Sequence, residues 1–299
     1  MARDKQAANK FVEYGRPYAA VDLISIYLKD QDADIPPEMI ADILERAVRT
    51  VPEENVHWPT FDHHVSELLD HLEASGKIEE PRIAMLEWAF LPLFGHHGRA
   101  PRVLHRELSR NPDFFVEVIS LVYKGVDEEQ GELSQKDQNL ARLSRQLLNT
   151  WRSIPGLKED GSVDPDAFRI WVDKAREATR AASRGTVGDL RIGQVLAFAP
   201  NGADGVWPDA AVRDLIDDLS SEDIERGIET GVVNKRGVVS RSLTEGGAQE
   251  RRLAETYRGY ADALNDGWPR TAAILRRISE TYASWARRED VEAELREDL

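Results

Sequence analysis

Hydrophobic residues recur along most of the chain at spacings of three and four residues, the period of an amphipathic α-helix. In PPEMIADILERAV, residues 36–48, Pro37 lies near the start and Ile40, Ile43 and Leu44 share one face. The alternation typical of a β-strand is missing, and its nearest approach, GVVNKRGVVS at 231–240, predicts a short strand or an extended loop. The pattern therefore predicts an all-α protein of antiparallel helix pairs stacked into an irregular solenoid of the TPR/HEAT kind.

A Trp-Pro pair occurs three times, each time shortly before an amphipathic stretch: Trp58-Pro59, Trp207-Pro208 and Trp268-Pro269. Proline suits the first turn of a helix, where its missing N–H costs no hydrogen bond, and a preceding tryptophan can pack back on the helix. Two interpretations remain open. The pairs mark a weak internal repeat of helix pairs, or one way of starting a helix arose three times.

The chain has one prominent polar break, the acidic stretch GVDEEQGELSQKD at 125–137, which carries two glycines. We place a domain boundary there, which predicts an N-terminal helical subdomain over 1–130 and a C-terminal helical subdomain over 131–299. Further along, Asp164 is followed by proline, which predicts the N-cap and first turn of another helix.

The composition is typical of a globular protein, with 41% hydrophobic and 31% charged residues among 299. No apolar run approaches the roughly 20 residues that span a bilayer. The longest, AMLEWAFLPLF at 84–94, carries Glu87 in its middle, and the N-terminal MARDKQAANK lacks the apolar core of a secretion signal. We therefore expect a cytoplasmic protein without a membrane partner.

The charged residues narrow the possible chemistry. The absence of cysteine excludes disulfides, thiolate nucleophiles and cysteine-based zinc sites. A net charge of −15 disfavours binding to nucleic-acid phosphates. Of the 39 basic residues, 9 are lysines and 30 are arginines. A GC-rich genome would explain that excess, and so would guanidinium groups that form ion pairs between helices.

All seven histidines lie between His57 and His105, which raises the question of a metal site. On a helix over 59–72, His64, Glu67 and His71 form one line beside the apolar face. His64 and His71 are two turns apart, about 10 Å, so one ion could not bind both directly. Glu67 with one of these histidines would need ligands from elsewhere.

His96 and His97, in the loop that follows, could supply those ligands and complete a site for a divalent ion. A metal-dependent or small-molecule-binding enzyme centred on the His57–His105 cluster is therefore our alternative to a non-enzymatic function. The other interpretation of the line is a half-packed, half-solvated edge of an ordinary helix, with no cofactor.

A strip of arginines follows in PRVLHRELSRNP. Arg102, Arg106 and Arg110 recur every fourth residue, and Arg99 lies just before them. Four guanidinium groups in a row could bind a phosphate, a nucleotide or an acidic protein partner. With 54 acidic residues in the chain, internal salt bridges are the alternative explanation.

A second candidate anion site lies near 234–251, where Arg236 and Arg241 precede Gly246-Gly247. Backbone N–H groups at the start of a helix attract anions. The phosphate-binding patterns GxxxxGK[ST] and GxGxxG are absent from the chain, as are the catalytic patterns GxSxG and HExxH. The sequence therefore favours a binding protein over an enzyme.

Two stretches, 85–124 and 240–290, resemble the C-terminal helical region of long, largely uncharacterised bacterial multidomain proteins. The resemblance carries no catalytic residues. It implies that this chain is the tail of a larger protein whose N-terminal module holds any catalytic or nucleotide-binding function.

Stacked helix pairs offer long surfaces for other proteins. We therefore expect a scaffold or regulatory (sensor) module whose partner is another protein or another domain of a longer chain. Defence against phage is one setting, by analogy. The best candidates for its recognition surface are Arg99, Arg102 and Arg106.

Overall fold

The computed structural model describes residues 2–29, 35–50, 57–94, 99–126, 134–237 and 245–297. Within these ranges the regular structure consists of 14 α-helices and one short 3-10 helix, and the β-structure is a single isolated bridge between Leu157 and Val163. The all-α prediction is confirmed. None of the helices in these ranges combines the length and the apolar composition that a membrane span requires.

The helices are numbered here in chain order. The first eight are α1 (Ala2–Glu13), α2 (Pro17–Leu28), α3 (Pro37–Arg49), α4 (Trp58–Ser75), α5 (Glu80–Phe90), α6 (Arg102–Arg110), α7 (Pro112–Val122) and α8 (Gln135–Thr150), with the 3-10 helix Leu91–Leu93 after α5. The others are α9 (Pro165–Ala181), α10 (Gly185–Leu196), α11 (Ala210–Leu219), α12 (Glu222–Lys235), α13 (Ala248–Leu264) and α14 (Pro269–Glu297).

Local chemistry explains many of the helix starts. A proline occupies one of the first two positions in α2, α3, α4, α5, α7 and α9. The Asp164 carboxylate accepts the backbone N–H of Ala167 at 2.9 Å, which confirms the predicted N-cap of α9. Asn111 caps α7 in the same way.

The prediction of a strand or extended loop over 231–240 is wrong for its first half, because α12 continues to Lys235. The helix is favoured over an extended conformation because Gly231 and Val232 lie on the buried face of α12. Residues 238–240 lie outside the described part of the chain.

Contacts divide the chain into two compact units, each made of two segments. Unit 1 comprises Met1–Glu107 and Gln138–Thr150, and unit 2 comprises Leu108–Asp137 and Trp151–Leu299. The boundary predicted from the sequence falls among 127–133, which lie outside the described residues, and it stays a prediction.

Unit 1 is built by helices that pack on their neighbours in sequence. Each of α1 to α4 packs on the next helix, while α2 also packs on α4 and α3 on α5. The apolar stripe of α4, including Phe61, Leu68 and Leu72, is fully buried. Phe61 also contacts Tyr18 and Phe90, so one aromatic group joins α2, α4 and α5.

Unit 2 contains a second core, centred on Phe115, Trp151 and Trp171. The three ring centroids are 5.3 to 5.9 Å apart, and all three side chains are buried. The indole N–H of Trp151 donates to Ser109 Oγ at 3.0 Å, so this polar group is satisfied although it is buried.

In unit 2, α10 packs closely on α12 through glycines. A Cβ atom on Gly193 would lie 2.2 Å from the carbonyl oxygen of Ile224, and one on Gly227 would lie 2.3 Å from that of Leu190. No side chain fits at either distance. The two helices run parallel and touch backbone to backbone, because contacts from Gly193 to Ala197 meet residues from Ile224 to Gly231 in the same order.

The last two helices form an antiparallel hairpin. Gly247 at the start of α13 lies against Ala286 late in α14, and Ser279 Oγ donates to the carbonyl oxygen of Ala254 at 2.7 Å. Small residues again let the two backbones approach.

We predict that Gly193→Ala lowers the free energy of unfolding by at least about 1–3 kcal/mol, because the new methyl group must push two helix backbones apart. Urea denaturation followed by circular dichroism measures the change.

The matched control is Gly259→Ala in α13, where an added Cβ meets no atom within 4 Å. There the substitution should stabilise by about 0.5–1 kcal/mol, since alanine is the better helix former. Equal effects at the two positions would contradict the backbone contact.

Candidate functional site

Two residues of the histidine line on α4, His64 and Glu67, contact α2. His64 is buried, and its Nδ1 lies 2.6 Å from Oδ1 of Asp22. Glu67 accepts a hydrogen bond from Ser25 Oγ at 2.7 Å and lies 3.3 Å from Lys29 Nζ. Asp22 with His64 and Ser25 with Glu67 thus form two successive cross-links between α2 and α4.

The electrostatics of Glu67 agree with this arrangement. Burial raises the pKa of its carboxyl, but the hydrogen bonds from Ser25 and Lys29 and the charge of His63 outweigh burial and lower it. The His63 ring comes from the preceding turn of α4, with its Nε2 at 3.2 Å from the Glu67 carboxylate. The carboxylate of Glu67 is therefore held by these three neighbours.

The proposed metal ligands are only partly placed. His71 is half-buried, and His96 and His97 lie outside the described residues. Across the described ranges, no group of three or more histidines and acids has the geometry to hold an ion. At the two ends of the histidine cluster, His57 Nδ1 lies 2.7 Å from Thr60 Oγ1 and His105 Nε2 lies 3.3 Å from Thr150 Oγ1.

The arginine strip lies against acids of α4 and α5. Arg99, whose side chain is 1% exposed, contacts Asp70 and Glu73 of α4 and the fully buried Glu87 of α5. The other Glu87 oxygen accepts the backbone N–H of Leu104 at 2.9 Å. Burial lowers the pKa of the Arg99 guanidinium, but the charge and hydrogen bond of Glu87 and those of Asp70 and Glu73 outweigh it and raise the pKa.

The next two arginines extend the same network. Arg102 contacts Asp70 and Glu73, and Arg106 reaches Glu73 at 2.6 Å and Glu80 at 3.1 Å. Arg110 is exposed at the end of α6. Arg99, Arg102 and Arg106 thus form the internal salt bridges that the sequence offered as the alternative, and a partner for the strip stays a prediction.

The acids of this network were not identified from the sequence. A signal existed for one of them, because Glu87 interrupts the longest apolar run of the chain. A carboxylate in such a run is buried only with a compensating charge, and Arg99 supplies it.

In the second candidate anion site, the described groups already contact other residues of the chain. Arg236 forms an ion pair with the buried Glu250, and its guanidinium carbon lies 5.8 Å from the ring centroid of Tyr282. The N–H of Gly247, ahead of α13, donates to Asp290 of α14 at 2.8 Å. Arg241 lies outside the described residues.

Sequence reasoning missed a groove in unit 1, between α1 and α3, with a volume of about 880 Å³. Its apolar floor includes Val12, Met39 and Ile43. Its polar lining carries the carboxylates of Glu13, Glu38, Asp42 and Glu45 and the guanidinium groups of Arg46 and Arg49.

The carboxylates of the groove lie along one edge of α3. Glu38, Asp42 and Glu45 follow at intervals of four and three residues, and all three contact Arg82 of α5. The side chains of Glu38 and Asp42 remain 64% and 67% exposed, so their charges still face solvent. The two groove arginines lie in the last turn of α3, which gives the groove an acidic end and a mixed end.

Comparisons of this chain with protein-family models, with curated proteins and with solved structures find no match.

We predict that Arg99→Met destabilises the protein by about 3–5 kcal/mol, because Glu87 would be left buried without its counter-charge. Urea unfolding measures the loss. Arg102→Met, which removes a half-exposed partner of the same acids, should cost less than about 1 kcal/mol.

The double variant Arg99→Met/Glu87→Leu should recover much of the stability, since it removes both buried charges together. No recovery in the double variant would show that the pair is not coupled.

A pH dependence follows from Glu73. Burial raises the pKa of its carboxyl, but hydrogen bonds from Arg106 and Arg102 and the charges of Arg102 and Arg99 lower it to about 2. The unfolded carboxyl titrates near 4.5. Ionised Glu73 therefore stabilises the fold above pH 4.5, and this contribution disappears as the pH falls toward 2.

Glu73→Gln should flatten the fall of stability between pH 5 and pH 2 by on the order of 1 kcal/mol, given the solvent screening of its partners. Thermal unfolding at a series of pH values measures the slope. Glu13→Gln, at an exposed carboxylate of α1, should leave the slope as it is in the wild type. An unchanged slope in Glu73→Gln would contradict the assignment.

Proposed function

We propose that this chain is a protein-interaction module and that the groove between α1 and α3 is its binding site. The observation that carries the proposal is the lining of this groove, where an apolar floor is bordered by solvent-facing carboxylates. A surface of this type suits a helix or extended segment that presents apolar side chains beside basic ones.

The charged residues that line the groove suggest how a partner would be oriented in it. Four carboxylates and two guanidinium groups border the groove, and Arg82 contacts three of the carboxylates from the side of α5. Basic residues of the partner would lie along the early turns of α3, while its opposite end would lie near Arg46 and Arg49. Complementary charges of this kind govern specificity and association rate more than total affinity.

The packing in unit 1 supports a scaffold role. Consecutive helices pack on each other and on the next but one, which is the contact pattern of stacked helix pairs. On this basis we propose an irregular solenoid of the TPR/HEAT kind for unit 1. That such a module serves as the regulatory region of a longer bacterial protein, with phage defence as one setting, stays a prediction.

A synthetic amphipathic peptide tests the groove directly. We expect a fluorescent helical peptide with leucines on one face and flanking arginines to bind the full chain, and the same peptide with flanking glutamates to bind at least about tenfold more weakly. Fluorescence anisotropy measures both affinities.

Charge reversal locates the site. Glu13→Lys should weaken binding of the arginine peptide, whereas Glu117→Lys, at an exposed acid of α7, changes the net charge equally and should leave the affinity unchanged. Equal effects of the two variants would mean that the peptide responds to overall charge, and the groove would lose its role.

A further inference from the structure

Two cations approach the same aromatic ring in unit 2. Phe198 follows α10 and is half-buried. The guanidinium carbon of Arg152 lies 4.4 Å from the centroid of its ring, and Nζ of Lys235 lies 5.5 Å from it. The ring attracts each cation, but the two cations repel each other.

The ammonium of Lys235 contacts a backbone carbonyl group near Phe198. Its ammonium, at the end of α12, donates to the carbonyl oxygen of Ala197 at 3.3 Å. Within the described residues, no carboxylate forms an ion pair with it. By contrast, Arg176 of the same unit lies 2.8 Å from the Asp189 carboxylate. Burial lowers the pKa of the Lys235 ammonium, so an anion beside it would be stabilised by a partly desolvated charge.

The neighbouring face of α10 adds further donors. Gln194 lies one turn before Phe198 and Arg191 two turns before it. Arg191 donates from Nη1 to the side-chain oxygen of Gln194 at 2.8 Å and from Nε to the Tyr123 hydroxyl at 3.0 Å. These contacts orient a second guanidinium, the third cation of the cluster, on the same face of α10 as Phe198.

We propose that Arg152 and Lys235 bind a phosphate group beside Phe198. The guanidinium and the ammonium beside one ring offer two positively charged donors to a phosphate dianion. The guanidinium offers a fork of N–H donors and the ammonium a mobile one, which together suit the three terminal oxygens of a phosphate.

The small size of the cluster limits the ligand to one or two phosphate groups. Nucleic acid binds through rows of cations that displace many counterions, and a chain with a net charge of −15 repels such a polymer. The phosphate could belong to a small metabolite or to a phosphorylated side chain of another protein. The two sources present the same chemistry to this site, and separate probes distinguish them.

Isothermal titration calorimetry of the full chain provides the test, with three probes: inorganic pyrophosphate, a short phosphoserine peptide and its unphosphorylated form. We expect saturable binding of pyrophosphate or of the phosphopeptide and none of the unphosphorylated peptide. Binding of only one probe identifies the source of the phosphate.

Variants assign the binding to the cluster. Lys235→Gln and Arg152→Gln should each weaken binding by about tenfold or more, because each removes a charge-assisted hydrogen bond. Lys174→Gln in α9 and Arg258→Gln in α13 remove exposed cations elsewhere and should change the affinity by less than about twofold. Circular dichroism of all four variants checks that they are folded.

Three results would overturn the proposal. One is the absence of binding by both phosphate probes at millimolar concentration. Another is binding that survives Lys235→Gln and Arg152→Gln in folded protein. The third is an equal loss in the control variants, which would mean that the probes respond to overall charge.

Discussion

A buried guanidinium group needs a carboxylate partner, and this constraint determines much of how the helices are joined. Arg99 links α4, α5 and the segment before α6 through Glu87 and its neighbours, while Arg176 of α9 links to Asp189 of α10. The arrangement tolerates no loss of one partner, since an uncompensated buried charge costs more than the pair contributes. The excess of arginine over lysine suits this use, because the planar fork of arginine can bind two carboxylate oxygens at once.

How far the fold follows from the sequence depends on whether a feature belongs to one helix or to two. The apolar stripe of α4 and the N-cap at Asp164 are properties of single helices, and periodicity and capping chemistry predicted both. The contact of Gly193 with α12 is a property of a pair, and a glycine within a helical pattern does not reveal which backbone approaches it. The short strand or extended loop expected at 231–240 is wrong over 231–235 for the same reason, because Gly231 packs against α10 as part of α12.

For the candidate sites too, the sequence predicted the features of single helices but not the contacts between two helices. The spacing of His64 and Glu67 placed them together beside the apolar face of α4, but the spacing could not show that Asp22 and Ser25 of α2 would meet them. The arginine strip likewise has a regular spacing in the sequence, while its acidic partners lie 12 to 33 residues away in other helices. A regular row of polar residues therefore identifies the edge of a helix. Whether that edge binds a ligand or pairs with another helix depends on the residues of the neighbouring helix.

A charged residue that is paired inside the fold therefore contributes less to binding a partner than a charged residue without an ion pair. Arg99 and Glu87 neutralise each other in the interior of unit 1, so a partner would gain little from either. Glu13 in the groove and Lys235 beside Phe198 differ, because within the described residues neither forms an ion pair. An incoming opposite charge at such a position gains Coulomb energy without first breaking an internal pair. The buried network around Arg99 is thus a poor place to look for a binding site, although its arginines form a conspicuous pattern in the sequence.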